Sequence, residues 1–477
     1  MYRVMIPKKY FLAIDLGSSN GSIMIGVLDG NGLVLREAHR FQNTIIQIDG
    51  KKHWDWDFLK QEIWKGLSKA CQETGNEKIE SVCCSSWAQD FCLLNKRGEL
   101  FYKPVSYRDK RTQGLPYGFS ETISAVDLWK RNGSAISPIT SLCQLYAIAH
   151  DEPEALEQAE KLLFIADLVN YMLCGEAVTD WTFATASQMI NIRSGAWDVE
   201  LVDKLGIPKK ILPKVNGTPQ VIGKITCHDI HPKLKGVPVV SGAGHDTAVA
   251  SLTVFKGKRK TAFLSLGTWA MLGCYDEEIN LSRIDDYSIS VLGLPGEKWG
   301  AFCSSVGLWL IQECVRKWVE NDICTSYKEL AEQAVNSTIN SIIAVKDDRF
   351  FSPGDMVKEI VDYCKETDQV IPEKPEDFAK VIFDSLANEF RILVEKLKKT
   401  CGVEFEKVQV VSGGAKNKYL CSKISEVVGI PVIAGPAEAT SIGNIILQAE
   451  VMNALKDETG TVDIIRNSFS DTDTYEN

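Results

Sequence analysis

An apolar strand that runs into Leu-Gly-(Ser/Thr) and then into a second apolar strand occurs twice in this chain, and no other feature limits the fold as much. Asp15-Leu16-Gly17-Ser18 lies within FLAIDLGSSNGSIMIGVLD, and Ser265-Leu266-Gly267-Thr268 lies within TAFLSLGTWAMLG. A glycine in a tight strand-to-strand turn lets the backbone approach another group closely. The amides and hydroxyls beside it then point at whatever fills the turn, most often phosphate. Two such turns, one near the start of each half, predict two similar domains closing on one nucleotide, as an ATP-dependent phosphotransferase requires.

Size agrees with two domains. The chain has 477 residues, more than one core normally supports, and roughly 230 residues per domain is expected. The boundaries we expect are 1–252 for an N-terminal domain, 253–466 for a C-terminal domain, and 467–477 for a polar, frayed tail. Apolar residues make up 45% and charged residues 24%, an ordinary globular balance. With 53 Lys and Arg against 63 Asp and Glu the net charge is -10, which opposes any general attraction to nucleic acid or anionic membrane. MYRVMIPKKYFLAIDLG lacks a long apolar core followed by a small-residue cleavage site, and no stretch approaches the roughly 20 apolar residues that span a bilayer. A cytoplasmic protein is expected. The 14 cysteines are scattered without zinc spacing, so free, partly buried thiols are expected, and the vicinal Cys83-Cys84 reads as core packing.

The first forty residues read as a three-stranded antiparallel meander, 11–16, 22–28 and 33–38, with Asp29-Gly30-Asn31-Gly32 as a hairpin turn. A helix follows, capped by Asp57, with Leu59, Ile63, Leu67 and Cys71 on its buried face. The strands Ile79 to Ser85 and Phe91 to Leu94 come next. Residues 100–230 are irregular and aromatic, which suits an insertion that shapes a substrate pocket or simply adds structure. Val237 to Val240 forms a strand leading into Ser241-Gly242-Ala243-Gly244-His245-Asp246-Thr247 and a helix. The second half repeats the meander near 260–266 and 269–274, followed by helices at 306–319 and 376–400 and the strand Val408 to Val411. Ser412-Gly413-Gly414 then turns into a helix near Lys416, where free amides at a helix N-terminus would receive phosphate or adenine.

Phosphoryl transfer needs donors around the phosphates, a carboxylate for magnesium, a base near the acceptor hydroxyl, and exclusion of water. Asp15, ending a buried strand, would hold the metal-nucleotide through water, or it is a turn-forming Asp. Ser18, Ser19 and Asn20 would cradle phosphate, or are ordinary hairpin polars. Asp246 follows a Gly-rich strand end, where a carboxylate accepts the proton of an attacking hydroxyl or caps a helix. His245 reads as a sugar-contacting or packing residue. Gly267, Thr268, Gln312, Gly413 and Gly414 form the expected far wall of the nucleotide site. Trp87, Gln89, Asp90, Arg108 and Asp109 would line a polyol pocket; Trp87 alone is equally a core residue, and YRDKRT equally a salt-bridged turn.

Taken together these residues resemble the FGGY carbohydrate kinase family over nearly the whole chain. The likeness rests on AIDLGSSNG, HRF, WDWD, SSWAQDF, PVSYRDKRT, GHDTA, LSLGTWAMLG, GLWLIQ, DDRF, FDSLA, SGGAKN and AGPAEATSIGNI, in that order. It implies an α/β fold of two ribonuclease H-like (actin-like ATPase) domains flanking a cleft. It implies that Asp246 is the proton acceptor and that His245, Asp246 and Thr247 contact the sugar. Ser18, Ser19, Asn20, Gly21, Ser22, Thr268, Gln312 and Gly414 are implied ATP contacts.

The chain departs from the pattern of its nearest sugar kinases at several points. Asp-Thr-Trp-Gly-Val-Asp is replaced by Ser85-Ser86-Trp87-Ala88-Gln89-Asp90, an arginine of the phosphate loop by Ser22, and an asparagine of the nucleotide site by Ser304. Serine in place of the first aspartate removes a sugar-site carboxylate, and Ala88 adds a methyl where glycine is usual. Such changes in a polar pocket alter substrate choice. The expected reaction is ATP- and magnesium-dependent phosphorylation of a ketose at its C1 hydroxyl. L-rhamnulose is the leading substrate, with L-fuculose or a pentulose as rivals and a non-catalytic sugar or nucleotide sensor as the alternative class. The expected assembly is a monomer or homodimer without nucleic-acid or membrane partners.

Overall fold

The computed structural model describes residues 8–29, 32–114, 118–242, 244–255, 260–275, 286–323, 325–351, 353–455, 461, 464, 465, 468 and 472–476. Residues 1–7 of the N-terminal segment, the hairpin tip Gly30-Asn31, Ala243, and the tail positions 466, 467, 469–471 and 477 lie outside them. The chain divides into two compact units, Met1–Lys256 with Glu277–Gly300 and Thr440–Ser470, and Gly257–Asp276 with Ala301–Ala439 and Asp471–Asn477. The first junction lies at Lys256/Gly257. Two later segments, 277–300 and 440–470, return to the first unit, a recrossing that no composition shift in the sequence marks.

In the first unit β1 (Lys9–Leu16), β2 (Asn20–Asp29) and β3 (Gly32–Gln42) form the expected antiparallel meander. Helix α1 (Trp56–Glu73) follows and buries Leu59, Ile63, Leu67 and Cys71. Its cap is Asp55 rather than Asp57: the Asp55 carboxylate accepts the Phe58 amide at 3.1 Å, and Asp57 already lies within the first turn. Strand β4 (Ile79–Ser86) pairs parallel to β1. Strand β5 (Gln220–Lys224) runs antiparallel to β6 (Pro238–Ser241), which is itself parallel to β4. The sheet order is β5-β6-β4-β1-β2-β3.

The second unit repeats this order. Strands β7 (Thr261–Leu266), β8 (Trp269–Tyr275) and β9 (Lys298–Val306) stand in for the meander, and β10 (Lys407–Val411) pairs parallel to β7. Strand β11 (Val432–Ala434) lies parallel to β10, giving β9-β8-β7-β10-β11. The terminal segment is not a frayed tail throughout: β12 (Asp473–Tyr475) pairs antiparallel with β11, so the polar residues there are anchored through backbone rather than side chains. The long helix Pro375–Cys401 and the helix Trp309–Glu320 fall close to the expected positions.

Alternation along β1 explains which face serves the site. Phe11 and Ala13 join Met24, Leu28, Ile442, Ile445 and Ile446 in one cluster, so odd positions of β1 face α2 (Ala439–Val451). Burying each of these large side chains contributes about 1.5–3 kcal/mol, which fixes the register of the strand against the helix. Asp15 has the same parity. It is therefore delivered to the α2 side, at the strand's carboxyl end.

Candidate active site

The carboxyl ends of β1, β4 and β6 meet at one edge of the first unit's sheet, the usual place for a ligand in parallel α/β architecture. Asp15 is the register partner of Ser85 and Leu16 of Ser86. Ser86 in turn bridges to His245, and its amide donates to the Gly244 carbonyl at 2.7 Å. The Trp87 amide donates to the Leu16 carbonyl at 2.9 Å. Three segments distant in sequence are thus joined through backbone: the Gly17 turn, the Trp87 segment and the His245-Asp246 loop.

Asp15 is half-buried, and the Ser441 hydroxyl donates to its Oδ2 at 3.1 Å. The turn after it is closed by the Gly17 amide on the Asn20 carbonyl at 2.8 Å. Asn43 pins the turn from β3's exit, its side-chain amide donating to the Gly17 carbonyl at 2.8 Å and its backbone amide to the Ser19 carbonyl at 3.0 Å. Ser18 is half-buried, Ser19 and Asn20 are exposed, and Gly21 and Ser22 are buried at the start of β2. Ser22 lies directly across from Asp15 on one side and Arg40 on the other.

Asp246 opens helix α3 (Asp246–Ala250), and the cap position before it belongs to His245. The cap alternative for Asp246 therefore falls, because its backbone is already helical. Its Oδ1 accepts the Thr247 amide at 2.5 Å and the Thr247 hydroxyl at 3.2 Å. About a quarter of the Asp246 side chain (27%) remains exposed, and Nε2 of His245 lies 3.6 Å from Oδ1. Burial raises the Asp246 pKa, partly opposed by His245 and by the Thr247 hydrogen bonds. Burial lowers that of His245. The pair is a carboxylate with increased proton affinity beside an imidazole held neutral.

The expected polyol residues divide. Asp90 is fully buried and closed off: it accepts the indole N–H of Trp54 at 2.6 Å and of Trp87 at 3.0 Å on Oδ2, and Nε2 of Gln144 at 3.0 Å on Oδ1. It is a structural pillar rather than a sugar contact. Asp109 is likewise occupied, accepting the amides of Arg111 at 3.0 Å and Lys52 at 2.8 Å as the cap of the short turn Lys110–Thr112. Trp87 is 4% exposed and packs against Trp54, with centroids 4.5 Å apart and the rings tilted by 46°. Ala88 and Gln89 are half-buried beside it. Gln89 adopts a left-handed backbone with φ 82°, costly for a residue with a Cβ. Its carbonyl accepts the Ser141 hydroxyl at 2.7 Å and its Oε1 the Ser141 amide at 3.2 Å. Arg108 lies over the Tyr107 ring at 5.2 Å.

Ser85 corrects another expectation. Its side chain is fully buried toward α2, where the Asn444 amide donates to its hydroxyl at 2.7 Å. The change from aspartate at this position thus falls in a helix-to-sheet contact, not in a sugar pocket.

In the second unit the Gly267-Thr268 turn is met by the start of α4 (Trp309–Glu320). The Gly307 amide donates to the Thr268 carbonyl at 3.1 Å, the Leu308 amide to the Gly267 carbonyl at 2.7 Å, and the Thr268 hydroxyl to Oε1 of Gln312 at 3.3 Å. Gly307 must be glycine, since a Cβ there would lie 2.4 Å from the Gly267 carbonyl oxygen. Gly413 and Gly414 follow β10, whose end is in register with Ser265, and Ser412 and Ser265 hydroxyls lie 3.2 Å apart. These glycines sit in a 3-10 turn, Gly413–Lys416, and the next helix, α5 (Lys418–Val428), is capped by Asn417. The glycines thus open a 3-10 turn, and the α-helix expected near Lys416 begins at Lys418. Ser304 is exposed on β9. Gly267, Thr268 and Gln312 are brought together directly.

Among the described residues no group of three or more His, Cys, Asp or Glu side chains is placed to hold a metal ion. Asp15, a half-buried carboxylate at the end of β1, fits an ion that keeps most of its water and arrives on phosphate, as magnesium does. Sequence reasoning missed Ser441, Gly307, Asp180 and Thr182. The first two lay inside quoted motifs without being singled out. The other two carried only a helix-start signal, Asp180 before Trp181–Ala186.

Residues 10–253 match the model of the N-terminal domain of the FGGY family of carbohydrate kinases, and residues 262–452 that of its C-terminal domain. The chain is 33% identical to a rhamnulokinase of Oceanobacillus iheyensis, covering 96% of each chain. It is also 33% identical to one of Bacteroides thetaiotaomicron, covering 97% of this chain and 95% of the other. Among solved structures it resembles a gluconate kinase from Lactobacillus acidophilus with TM-score 0.78 and 17% identity, over 98% of this chain and 94% of that one. A xylulose kinase from the same organism follows with TM-score 0.76 and 16% identity, over the same shares.

Proposed function

Because the chain belongs to the FGGY family of carbohydrate kinases and is an ATP-dependent sugar phosphotransferase, we propose that it phosphorylates the C1 hydroxyl of a ketose, L-rhamnulose in the first instance. Asp246 carries this reading: it is a deeply seated yet reachable carboxylate, raised in proton affinity, at the end where three strands converge. In the proposed step Asp246 accepts the C1 hydroxyl proton as that oxygen bonds the γ-phosphorus. The bond from the γ-phosphorus to the bridging oxygen breaks, and ADP leaves with the electron pair. His245 and Thr247 orient the sugar, and Trp87 and Ala88 form the neighbouring wall.

Ser18, Ser19, Asn20, Gly21 and Ser22 are assigned to the phosphates, and Gly267, Thr268, Gln312, Gly413, Gly414 and Ser304 to the rest of the nucleotide. A divalent ion, magnesium by this reading, offsets phosphate charge when bound, and Asp15 would hold it through water. Ser441 holds Oδ2 of Asp15 from the α2 side. We infer action in the cytoplasm as a monomer or homodimer; no helix among the described residues is long and apolar enough to cross a membrane.

The substrate is supported by the curated rhamnulokinase relatives and tested by coupled ADP release with magnesium-ATP across L-rhamnulose, L-fuculose, L- and D-ribulose, L- and D-xylulose and glycerol. A kcat/KM for L-rhamnulose at least tenfold above the others is the expected result. Preference for another ketose would reassign the substrate, and silence across the panel would overturn the ketose reading.

A further inference from the structure

The peptide group joining Gly244 to His245 is held at both ends. Its carbonyl accepts the Ser86 amide at 2.7 Å, and its N–H donates to the Thr182 hydroxyl at 2.9 Å. Thr182 is not free to turn away, because it donates its single hydroxyl proton to Oδ1 of Asp180 at 2.5 Å, leaving a lone pair aimed at His245. The same Oδ1 accepts the Thr182 amide at 2.7 Å and the Phe183 amide at 3.4 Å. The other oxygen, Oδ2, underlies Gly244 so closely that a Cβ on that residue would stand 1.9 Å away. Asp180 and Thr182 are both buried, at 1% and 0% exposure.

We propose that Asp180 and Thr182 form a positioning brace for the reaction, fixing the peptide plane one residue before Asp246 and hence the direction in which its carboxylate points. This deepens, and rests on, the reading of Asp246 as the proton acceptor. A neutral serine suffices to cap a short helix, whereas a fully buried carboxylate is expensive to desolvate. Its three bonds converge on the one hydroxyl that holds the loop and on the turn that carries that hydroxyl. A displacement of about 1 Å between base and acceptor can cost on the order of a hundredfold in rate.

The test uses the full chain with magnesium-ATP and L-rhamnulose, together with hydrogen exchange of the backbone segment 244–249. Thr182→Val should make the His245 amide exchange at least tenfold faster and lower kcat about 10- to 100-fold, with KM for ATP within twofold. Thr182→Ser, which returns the hydroxyl, should recover most of both. In an Asp246→Asn background Thr182→Val should cost less than a further twofold, since a brace acting through Asp246 has nothing left to position. Asp180→Asn is read in the same way, so a folding failure of one variant leaves the other. Unchanged exchange, turnover within twofold of wild type, or an equal loss in both backgrounds would overturn the brace and leave Asp180 a helix cap. Wild-type turnover by Asp246→Asn with faster exchange in Thr182→Val would instead overturn the assignment of Asp246.

Discussion

Oδ1 of Asp246 stands 3.6 Å from Nε2 of His245, and burial moves the two groups in opposite directions: the carboxyl is raised and the imidazole lowered. Both shifts favour their neutral forms. As the proposed base, Asp246 must nonetheless be ionised to accept a proton, so activity is expected to be lost as pH falls through its raised value. The acid limb of the kcat profile should therefore have its midpoint above about pH 4, the ordinary aspartate value. An acid limb at or below that value would contradict the environment described for Asp246.

Replacing Gly307 by alanine should damage nucleotide binding. The new Cβ would meet the Gly267 carbonyl oxygen at 2.4 Å and the Trp269 carbonyl carbon at 2.7 Å. Both are backbone and cannot swing aside, so the Gly267-Thr268 turn must shift, with overpacking costing about 1–3 kcal/mol. Steady-state kinetics of Gly307→Ala should show KM for ATP raised at least tenfold and KM for the sugar within twofold.

Asp90 should matter for stability. It accepts from Trp54, Trp87 and Gln144 and is fully buried. Asp90→Asn turns one acceptor into a donor facing an indole or amide N–H, and a buried hydrogen bond lost this way costs about 1–3 kcal/mol. Urea denaturation should show a loss of that size. A variant as stable as wild type would mean the carboxylate is not the pillar its bonds describe.

Magnesium dependence is expected from the proposed role of the Asp15 carboxylate. Excess EDTA should abolish turnover and added magnesium restore it, and Asp15→Asn should raise KM for magnesium-ATP about tenfold while leaving the fold intact by circular dichroism. Undiminished turnover in EDTA would remove the role given to Asp15.

Much of the fold was legible because its signals are local. Glycine turns at Gly17 and Gly267 and apolar strands around them mark both meanders, and the spacing of Leu59, Ile63, Leu67 and Cys71 marks the buried face of α1. Contacts of the candidate site were legible where residues adjoin in sequence, as His245-Asp246-Thr247 do. It was not legible where contacts are remote. Ser441 reaches Asp15 only because the parity of β1 meets a helix near the chain's end. Thr182 reaches His245 across a separate element. Nor does sequence say which side of a strand a polar residue takes: Ser85 and Asp90, read as sugar-site positions, are both buried in packing contacts.

The most direct test of the central claim is the turnover of Asp246→Asn with magnesium-ATP and the ketose the wild-type enzyme prefers, read as ADP release alongside sugar affinity by calorimetry. An amide keeps the shape and cannot accept the proton, so kcat should fall about 10²- to 10⁴-fold while sugar binding stays within a fewfold. Turnover within a fewfold of wild type would contradict Asp246 as the base.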